Sequence, residues 1–292
     1  MQHLITTSDF SKEEIIDLFE DAKIFKDLKS NLFLQGKIIV NLFFENSTRT
    51  RSAFEIAAKR LGAQVISLNV GRSSRSKGET IFDTIANIEA MKPDALTIRH
   101  SECGLPGSLV DHVTCPIINA GDGTHAHPTQ ALLDLFTILE HFNWDAQGKK
   151  VAIIGDVKSS RVAGSNRRLL PRFGMEVVFV APDCFKYDDA DGFKQYTHIS
   201  EIIDEVDVIM SLRTQLERHH EVYFESLNEY AKDYCITEET LGDRDILLLH
   251  PGPVNRNVDI SDAMLKDPRC KVLQQVSNGV AVRMAILKKL LG

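Results

Sequence analysis

The sequence of 292 residues lacks several features that would place it in a specialised class of protein. No apolar run approaches the roughly 18 residues that a membrane span requires, and the first ten residues lack the basic-then-apolar layout of a signal peptide. The five cysteines are widely spaced without a Cys-x-x-Cys pair, which indicates neither a disulfide framework nor a zinc ribbon. A formal net charge of −7 provides no basic footprint for nucleic acid. We therefore expect a cytoplasmic protein that binds neither membranes nor nucleic acids.

Two nucleotide-binding motifs are absent as well. The segment after the apolar run at residues 151–154 reads Gly-Asp-Val-Lys-Ser-Ser, which differs from the Gly-x-Gly-x-x-Gly turn of dinucleotide-binding folds. The phosphate-binding loop of nucleotide kinases, Gly-x4-Gly-Lys-Ser/Thr, does not occur either. The sequence therefore disfavours nicotinamide, flavin and nucleotide-kinase functions.

Short apolar runs alternate with segments of helical periodicity along most of the chain. Ser11 is a good N-cap, and Glu14 completes a capping box that predicts a first helix. Strands are predicted at residues 38–44, 65–68, 95–98, 116–119, 151–154, 176–180, 206–212 and 246–249. Further helices are predicted at residues 50–61, 81–91, 131–142 and 280–291, and from the loop after residue 154 to residue 173. The alternation predicts an α/β protein with mostly parallel sheets covered by helices on both faces.

The length of the chain exceeds the usual size of a single core, so two domains are expected. The chain turns polar at residues 143–149, just before a new βαβ unit, and the boundary is placed within residues 136–148. The first domain is predicted to contain residues 1–135 and the C-terminal helix at 278–292, and the second to contain residues 146–277. Each is expected to be doubly wound, with the active site in the cleft between them.

Polar and basic clusters follow the carboxyl ends of six predicted strands. These clusters lie at residues 45–51, 99–100, 121–130, 155–161, 213–215 and 250–253. Ligands of open α/β sheets bind just beyond the carboxyl ends of the strands. We therefore expect the six clusters, which come from both halves of the chain, to converge on one cleft.

The cluster at residues 47–51 is the most informative. Ser47 and Thr48 are good N-caps for the predicted helix, and free N–H groups and the helix dipole at such a position favour an anion. Arg49 and Arg51 add side chains that can bond two phosphate oxygens at once. The segment predicts a phosphate site; an ordinary capped helix with solvated arginines is the alternative.

Two histidines, His125 and His127, precede Pro128, which suits the first turn of a helix. A His-x-His pair can bind a metal, but no cysteine or carboxylate partner stands at ligand spacing. We interpret His127 as a hydrogen-bond donor to a carbonyl oxygen and His125 as a residue of the loop. No metal or organic cofactor is expected.

Residues 71–80 form a basic segment rich in small side chains. Its composition is typical of a mobile surface loop. The alternative is a lid over an anionic ligand, since a basic and flexible loop can close over such a molecule.

Five motifs, in this order, give the chain a likeness that extends over nearly its whole length. They are Ser-Thr-Arg-Thr-Arg at 47–51, Lys-Gly-Glu-Thr at 77–80, Arg-His at 99–100, His-Pro-Thr-Gln at 127–130 and His-Pro-Gly-Pro at 250–253. With them the chain resembles the aspartate/ornithine carbamoyltransferase family. Ornithine-specific members usually carry His-Cys-Leu-Pro at the last motif. The resemblance, together with Arg213-Thr-Gln215-x-Glu-Arg, therefore favours L-aspartate over L-ornithine.

The resemblance implies transfer of the carbamoyl group of carbamoyl phosphate to the amino group of L-aspartate, in pyrimidine biosynthesis and without a cofactor. It assigns catalytic roles to Arg49, Thr50, Lys77, Arg99 and His127. It assigns carbamoyl phosphate binding to Ser47, Thr48, Arg49, Thr50, Arg99, His127, Gln130, Gly252 and Pro253. It assigns L-aspartate binding to Lys77, Arg161, Arg213 and Gln215. Some members have Leu at the position of Gly252, a difference that a backbone carbonyl contact tolerates.

The resemblance also implies a homotrimer in which Ser73 and Lys77 reach the active site of a neighbouring subunit. It leaves open whether two trimers associate with regulatory chains or with a dihydroorotase. A non-catalytic anion-binding or scaffold protein of the same fold is the alternative from another functional class. The intact set of predicted catalytic residues argues against that alternative.

Overall fold

The computed structural model describes residues 2–69, 80–214 and 223–292. The chain divides into two compact units, the first containing Met1–Phe136 and Val276–Gly292 and the second containing Thr137–Gln275. None of the helices within the described ranges is long and apolar enough to cross a membrane.

The first unit is built on a parallel sheet with the strand order β2-β1-β3-β4. Its strands are β1 (Ile38–Phe43), β2 (Gln64–Asn69), β3 (Ala95–His100) and β4 (Ile117–Asp122). Every residue of β4 is buried, as is every residue of β1 after Ile38, so both faces of these two strands are covered. Burial on both faces explains why the two strands are mostly apolar in sequence rather than alternating between apolar and polar residues.

The helices of this unit are α1 (Lys12–Asp27), α2 (Thr48–Arg60), α3 (Ile81–Glu89), α4 (Leu105–Ser108), most of α5 (Pro128–His141) and most of α9 (Val272–Leu291). Helix α1 begins with the predicted capping box, in which the Ser11 hydroxyl accepts from the Glu14 N–H and the Glu14 carboxylate accepts from the Ser11 N–H. Part of the core lies among β1, β3, β4 and α3, where Leu42, Leu96 and Ile85 are fully buried.

The second unit has a parallel sheet with the strand order β7-β6-β5-β8-β9. Its strands are β5 (Lys150–Ile154), β6 (Glu176–Val180), β7 (Gln195–Tyr196), β8 (Val208–Ser211) and β9 (Leu247–Leu249). Its own helices are α6 (Arg161–Leu169), α7 (Leu227–Tyr234) and α8 (Glu238–Leu241). The prediction of two α/β units with parallel sheets is confirmed.

Several predicted boundaries are wrong for identifiable reasons. The helix predicted to continue to residue 173 ends at Leu169 and gives way to a 3-10 turn, Leu170–Phe173, because Pro171 cannot supply a helical N–H. Helix α9 begins at Val272 rather than at residue 280. Its first turns contain buried polar residues, Gln275 and Asn278, which interrupt the apolar pattern that the prediction followed.

Candidate active site

The predicted phosphate-binding residues lie at one edge of the first sheet. Because β1, β3 and β4 are parallel neighbours, their carboxyl ends stand side by side. The segment at 45–51 follows β1, Arg99 is near the end of β3, and the segment that carries His127 follows β4. The fold thus brings these three clusters of the first unit to a common edge.

The start of α2 differs from the prediction. Ser47 occupies the N-cap position, but its side chain makes no capping hydrogen bond, and Thr48 is the first helical residue rather than a cap. The reason is the backbone: Ser47 has a ψ of 88°, whereas the capping Ser11 is extended with a ψ of 168°. The Ser47 side chain therefore makes no bond to the first N–H groups of α2, and the N-terminus of a helix is a position that suits an external anion.

Arg99 connects the ends of the three strands. Its Nε donates to Oε2 of Glu45 at 3.2 Å, and its Nη1 donates to the Ala120 carbonyl at 3.5 Å. Its own carbonyl accepts from the Phe44 N–H at 2.9 Å. The guanidinium is thereby held beside the segment at 45–51 and beside the end of β4.

Asp122 organises the turn after β4, a role that the sequence did not predict. Its buried carboxylate accepts from the side-chain amide of Asn119 at 2.8 Å, from the Ala126 N–H at 3.1 Å and from the Gly104 N–H at 2.6 Å. It also lies 2.8 Å from Nδ1 of His125, which ties that histidine into the loop. The only signal in the sequence is an acidic residue between two glycines, a common turn composition.

His127 stands at the start of α5. Its carbonyl accepts the N–H groups of Gln130 at 3.1 Å and Ala131 at 3.2 Å, and its side chain is buried. The Gln130 amide is also buried, and its Nε2 donates to Oδ1 of Asp134 at 2.8 Å. Over the described ranges, no group of three or more His, Cys, Asp or Glu side chains is arranged to hold a metal ion.

The second unit places its predicted residues in the same way. Strands β5, β8 and β9 are adjacent and parallel, so their carboxyl ends share one edge. Arg161 is buried at the first position of α6, which the Ser160 hydroxyl caps by accepting from the Ala163 N–H at 3.2 Å. Arg213 follows β8. Gly252 and Pro253, which are joined by a cis peptide bond, follow β9. Gly252 has a φ of 69°, a conformation that favours glycine.

A buried histidine holds the segment after β9. Nδ1 of His250 accepts the Gly252 N–H at 2.8 Å, and Nε2 lies 3.0 Å from Oδ2 of Asp259. An accepting Nδ1 carries no proton, so the ring is the neutral tautomer with its proton on Nε2, donated to Asp259. The His of the His-Pro-Gly-Pro motif thus orients the backbone of this segment.

Asp259 links that segment to the one after β8 and was not predicted from the sequence. Its carboxylate accepts from the Thr214 N–H at 3.2 Å and from the Asn255 N–H at 2.8 Å. The Asn255 side chain donates in turn to the Thr214 carbonyl at 3.0 Å.

Three of the predicted residues, Ser73, Lys77 and Gln215, lie outside the described residues.

Two family models match the chain. The model of the aspartate/ornithine carbamoyltransferase carbamoyl-P binding domain matches residues 2–140, and that of the Asp/Orn binding domain of the same family matches residues 147–290.

Proteins of similar sequence match over the full length. A protein of Aliarcobacter butzleri named aspartate carbamoyltransferase catalytic subunit is 72% identical over 100% of this chain and 98% of its own length. A protein of Campylobacter lari with the same name is 57% identical over 100% of this chain and 99% of its own length.

Solved structures resemble the chain in fold as well. The catalytic subunit of M. jannaschii aspartate transcarbamoylase superposes with a TM-score of 0.88 at 35% identity, covering 99% of this chain and 98% of its own. Aspartate transcarbamoylase from Trypanosoma cruzi, in complex with carbamoyl phosphate and aspartate, superposes with a TM-score of 0.89 at 31% identity, covering 100% of this chain and 96% of its own.

Proposed function

Because the chain belongs to the aspartate/ornithine carbamoyltransferase family, we propose that it transfers the carbamoyl group of carbamoyl phosphate to the amino group of L-aspartate. The products are N-carbamoyl-L-aspartate and phosphate, and the reaction belongs to pyrimidine biosynthesis. The observation that carries the proposal is the full-length match to proteins named aspartate carbamoyltransferase catalytic subunit. The first unit binds carbamoyl phosphate and the second binds L-aspartate, in line with the two family models.

The start of α2 receives the phosphate. Ser47, Thr48, Arg49 and Thr50 contribute hydroxyl, N–H and guanidinium donors, at a helix end whose cap side chain makes no capping bond. Arg99 stands beside this segment through its bond to Glu45 and bridges the phosphate and the carbonyl oxygen of the substrate. The binding energy is electrostatic, since two arginines and oriented N–H groups face a dianion.

The carbamoyl group lies between donors and acceptors. His127 donates to the carbonyl oxygen, where negative charge grows as the tetrahedral species forms. Gln130 accepts from the carbamoyl NH2, as do the backbone carbonyls of Gly252 and Pro253. The bonds of His250 to Gly252 and Asp259 hold the backbone segment that carries those two carbonyls.

L-Aspartate presents two carboxylates, which call for paired cations. Arg161 at the start of α6 and Arg213 after β8 supply them, with Gln215 and Lys77 as further ligands. The deprotonated amine attacks the carbonyl carbon, the C–O bond to phosphate breaks, and the departing phosphate takes the amine proton. No protein nucleophile is required, and holding two small anions together lowers the barrier by several kcal/mol, about 7 or more in favourable cases.

The active site includes Ser73 and Lys77 of a neighbouring subunit, so a homotrimer is the smallest active assembly. Two such trimers can associate with regulatory chains or with a dihydroorotase. A cytoplasmic location agrees with five cysteines that are all free.

A two-acceptor assay tests the proposed function. Purified chain with carbamoyl phosphate is expected to form N-carbamoyl-L-aspartate from L-aspartate and no citrulline from L-ornithine. Colorimetric detection of the carbamoylated products and release of phosphate measure both reactions side by side. Turnover of ornithine alone would show that the acceptor is wrong, and phosphate release without any carbamoylated product would show that the chain is not a transferase.

A further inference from the structure

A buried polar pair lies behind the Gln130 side chain in the first unit. Asp134 follows Gln130 by one turn on α5, and both side chains are buried. The bond between them joins Nε2 of Gln130 to Oδ1 of Asp134 at 2.8 Å. A carboxylate only accepts hydrogen bonds, so the amide can face it only with its nitrogen. The other end of the amide, Oε1, is thereby kept as a hydrogen-bond acceptor.

Arg283, on α9, is a buried cation whose charge interacts with that of Asp134. Burial lowers the pKa of Arg283 to about 10, while the nearby Asp134 carboxylate acts to raise it, so the guanidinium stays charged at neutral pH. Its Nη1 donates to the Gly279 carbonyl at 2.8 Å, and its Cζ lies 5.2 Å from the centroid of the Phe54 ring. Phe54 belongs to α2, whose first turn is the proposed phosphate site.

The glycine at position 279 leaves space for the Arg283 side chain. A Cβ atom at position 279 would lie 2.7 Å from Nη1 of Arg283 and 3.0 Å from Cδ2 of Leu133, so glycine at this position leaves the room that the guanidinium occupies. Helix α9 therefore approaches α5 closely at Gly279, next to the buried Arg283 side chain.

Stability alone gives little reason for such a pair. Replacing a buried ion pair with apolar side chains of similar volume is often neutral or stabilising. Apolar side chains at positions 134 and 283 together could therefore fill the space without a loss of stability. They would not give Nε2 of Gln130 a fixed partner, and the amide would then be able to turn over.

We propose that Asp134 is a positioning residue that makes the site prefer carbamoyl phosphate to acyl phosphates that lack an N–H donor. The inference rests on the proposed function, in which Gln130 meets the carbamoyl NH2. With Nε2 held by Asp134, Gln130 presents Oε1 to that NH2 group. Acetyl phosphate places a methyl group there and leaves the buried oxygen without a donor, which is the kind of mismatch that discriminates strongly between substrates.

Asp134→Asn tests this role with three phosphate compounds. The asparagine amide can present its NH2 group to Gln130 where the carboxylate presented only oxygen, and the Gln130 amide can then turn its own oxygen towards position 134. We expect the KM for carbamoyl phosphate to rise about 10- to 100-fold, the range given by one hydrogen bond to a charged group. The inhibition constant of inorganic phosphate should stay within about twofold, because that ion makes no contact with Gln130. The preference is the ratio of the inhibition constant of acetyl phosphate to the KM for carbamoyl phosphate. This ratio should fall.

A second background separates positioning from general disruption. In Gln130→Ala chains, Asp134→Asn should change the carbamoyl-to-acetyl preference little, since the group through which Asp134 acts is gone. Asp134→Glu keeps a carboxylate and should retain more of the preference than Asp134→Asn. If thermal unfolding shows that Asp134→Asn is not folded, Asp134→Ser is the second variant. It removes the carboxylate with a smaller side chain and is expected to lower the preference in the same way.

The outcomes divide clearly. Equal weakening of all three phosphate compounds, or an undiminished effect in the Gln130→Ala background, would overturn the inference and leave the proposed function standing. A wild-type chain that carbamoylates no amine would overturn the proposed function and the inference with it.

Discussion

At the scale of single residues, the exposed and the buried arginines have different tasks. Arg49 is exposed in the first turn of α2, whereas Arg161 and Arg283 are buried. An exposed arginine adds little to the stability of the fold, because water screens its charge. Its position in the first turn of α2, where the helix end favours an anion, agrees with the proposed role of Arg49 in phosphate binding.

Arg49→Ala should therefore separate activity from stability. We expect kcat/KM to fall by about 100-fold or more, the usual effect of removing one donor to developing charge. The free energy of unfolding should change by less than about 0.5 kcal/mol, as for other surface substitutions. Steady-state kinetics and denaturant unfolding measure the two quantities.

Arg60→Ala is the matched control for Arg49→Ala, since it removes the same side chain from the last residue of the same helix. It should leave kcat/KM near the wild-type value. An unchanged carbamoylation rate in Arg49→Ala, or an equal loss in both variants, would contradict the phosphate role of Arg49.

At the scale of secondary structure elements, each sheet edge is braced by one buried aspartate. Asp122 accepts hydrogen bonds from Asn119 in β4 and from the N–H groups of Gly104 and Ala126. Asp259 does the same for the segments after β8 and β9. A carboxylate is suited to this position because it accepts several hydrogen bonds at once and has no donor of its own.

Asp259→Asn should affect both proposed groups of ligands in the second unit. The amide turns an NH2 group toward existing donors, which we expect to cost about 1–3 kcal/mol of unfolding free energy. The KM for L-aspartate and the KM for carbamoyl phosphate should both rise, because Arg213 and the Gly252 carbonyl follow the two braced strands.

Asp262→Asn serves as the control for Asp259→Asn, because Asp262 is exposed and its pKa is lowered by bonds to Arg256 and Asn257 at the surface. It should change neither KM. A loss of stability in Asp259→Asn with both KM values intact would show that the brace is structural and does not position ligands.

At the scale of the whole molecule, the proposed site needs two copies of the chain. In the proposed homotrimer, Arg49 belongs to one subunit and Lys77 to its neighbour. A chain that lacks either side chain should be inactive alone, because every site in its trimer is incomplete. Mixed trimers contain some sites in which an intact Arg49 faces an intact Lys77.

Mixing Lys77→Ala chains with Arg49→Ala chains should therefore restore part of the activity after dissociation and reassembly. Native mass spectrometry establishes the trimer and the presence of hybrids, and the carbamoylation assay measures the recovery. Each variant reassembled alone is the control and should stay inactive. Confirmed hybrids without recovery would contradict a site shared between subunits.

Local patterns in the sequence determined much of what the molecule is. The capping box at Ser11 and Glu14, the apolar runs of the parallel strands and the motifs at the strand ends depend on neighbouring residues, which the chain order displays directly. The prediction of the carbamoyltransferase family came from five such motifs and is confirmed.

Only the tertiary structure decided the groups that hold those motifs in place. The capping failure of Ser47 depends on its backbone angle, and the start of α9 depends on buried polar side chains. The bonds of His250 to Gln275 and the influence of Asp134 on Arg283 join residues far apart in the sequence. Burial and pairing across such distances follow from how elements pack, and no spacing along one chain encodes them.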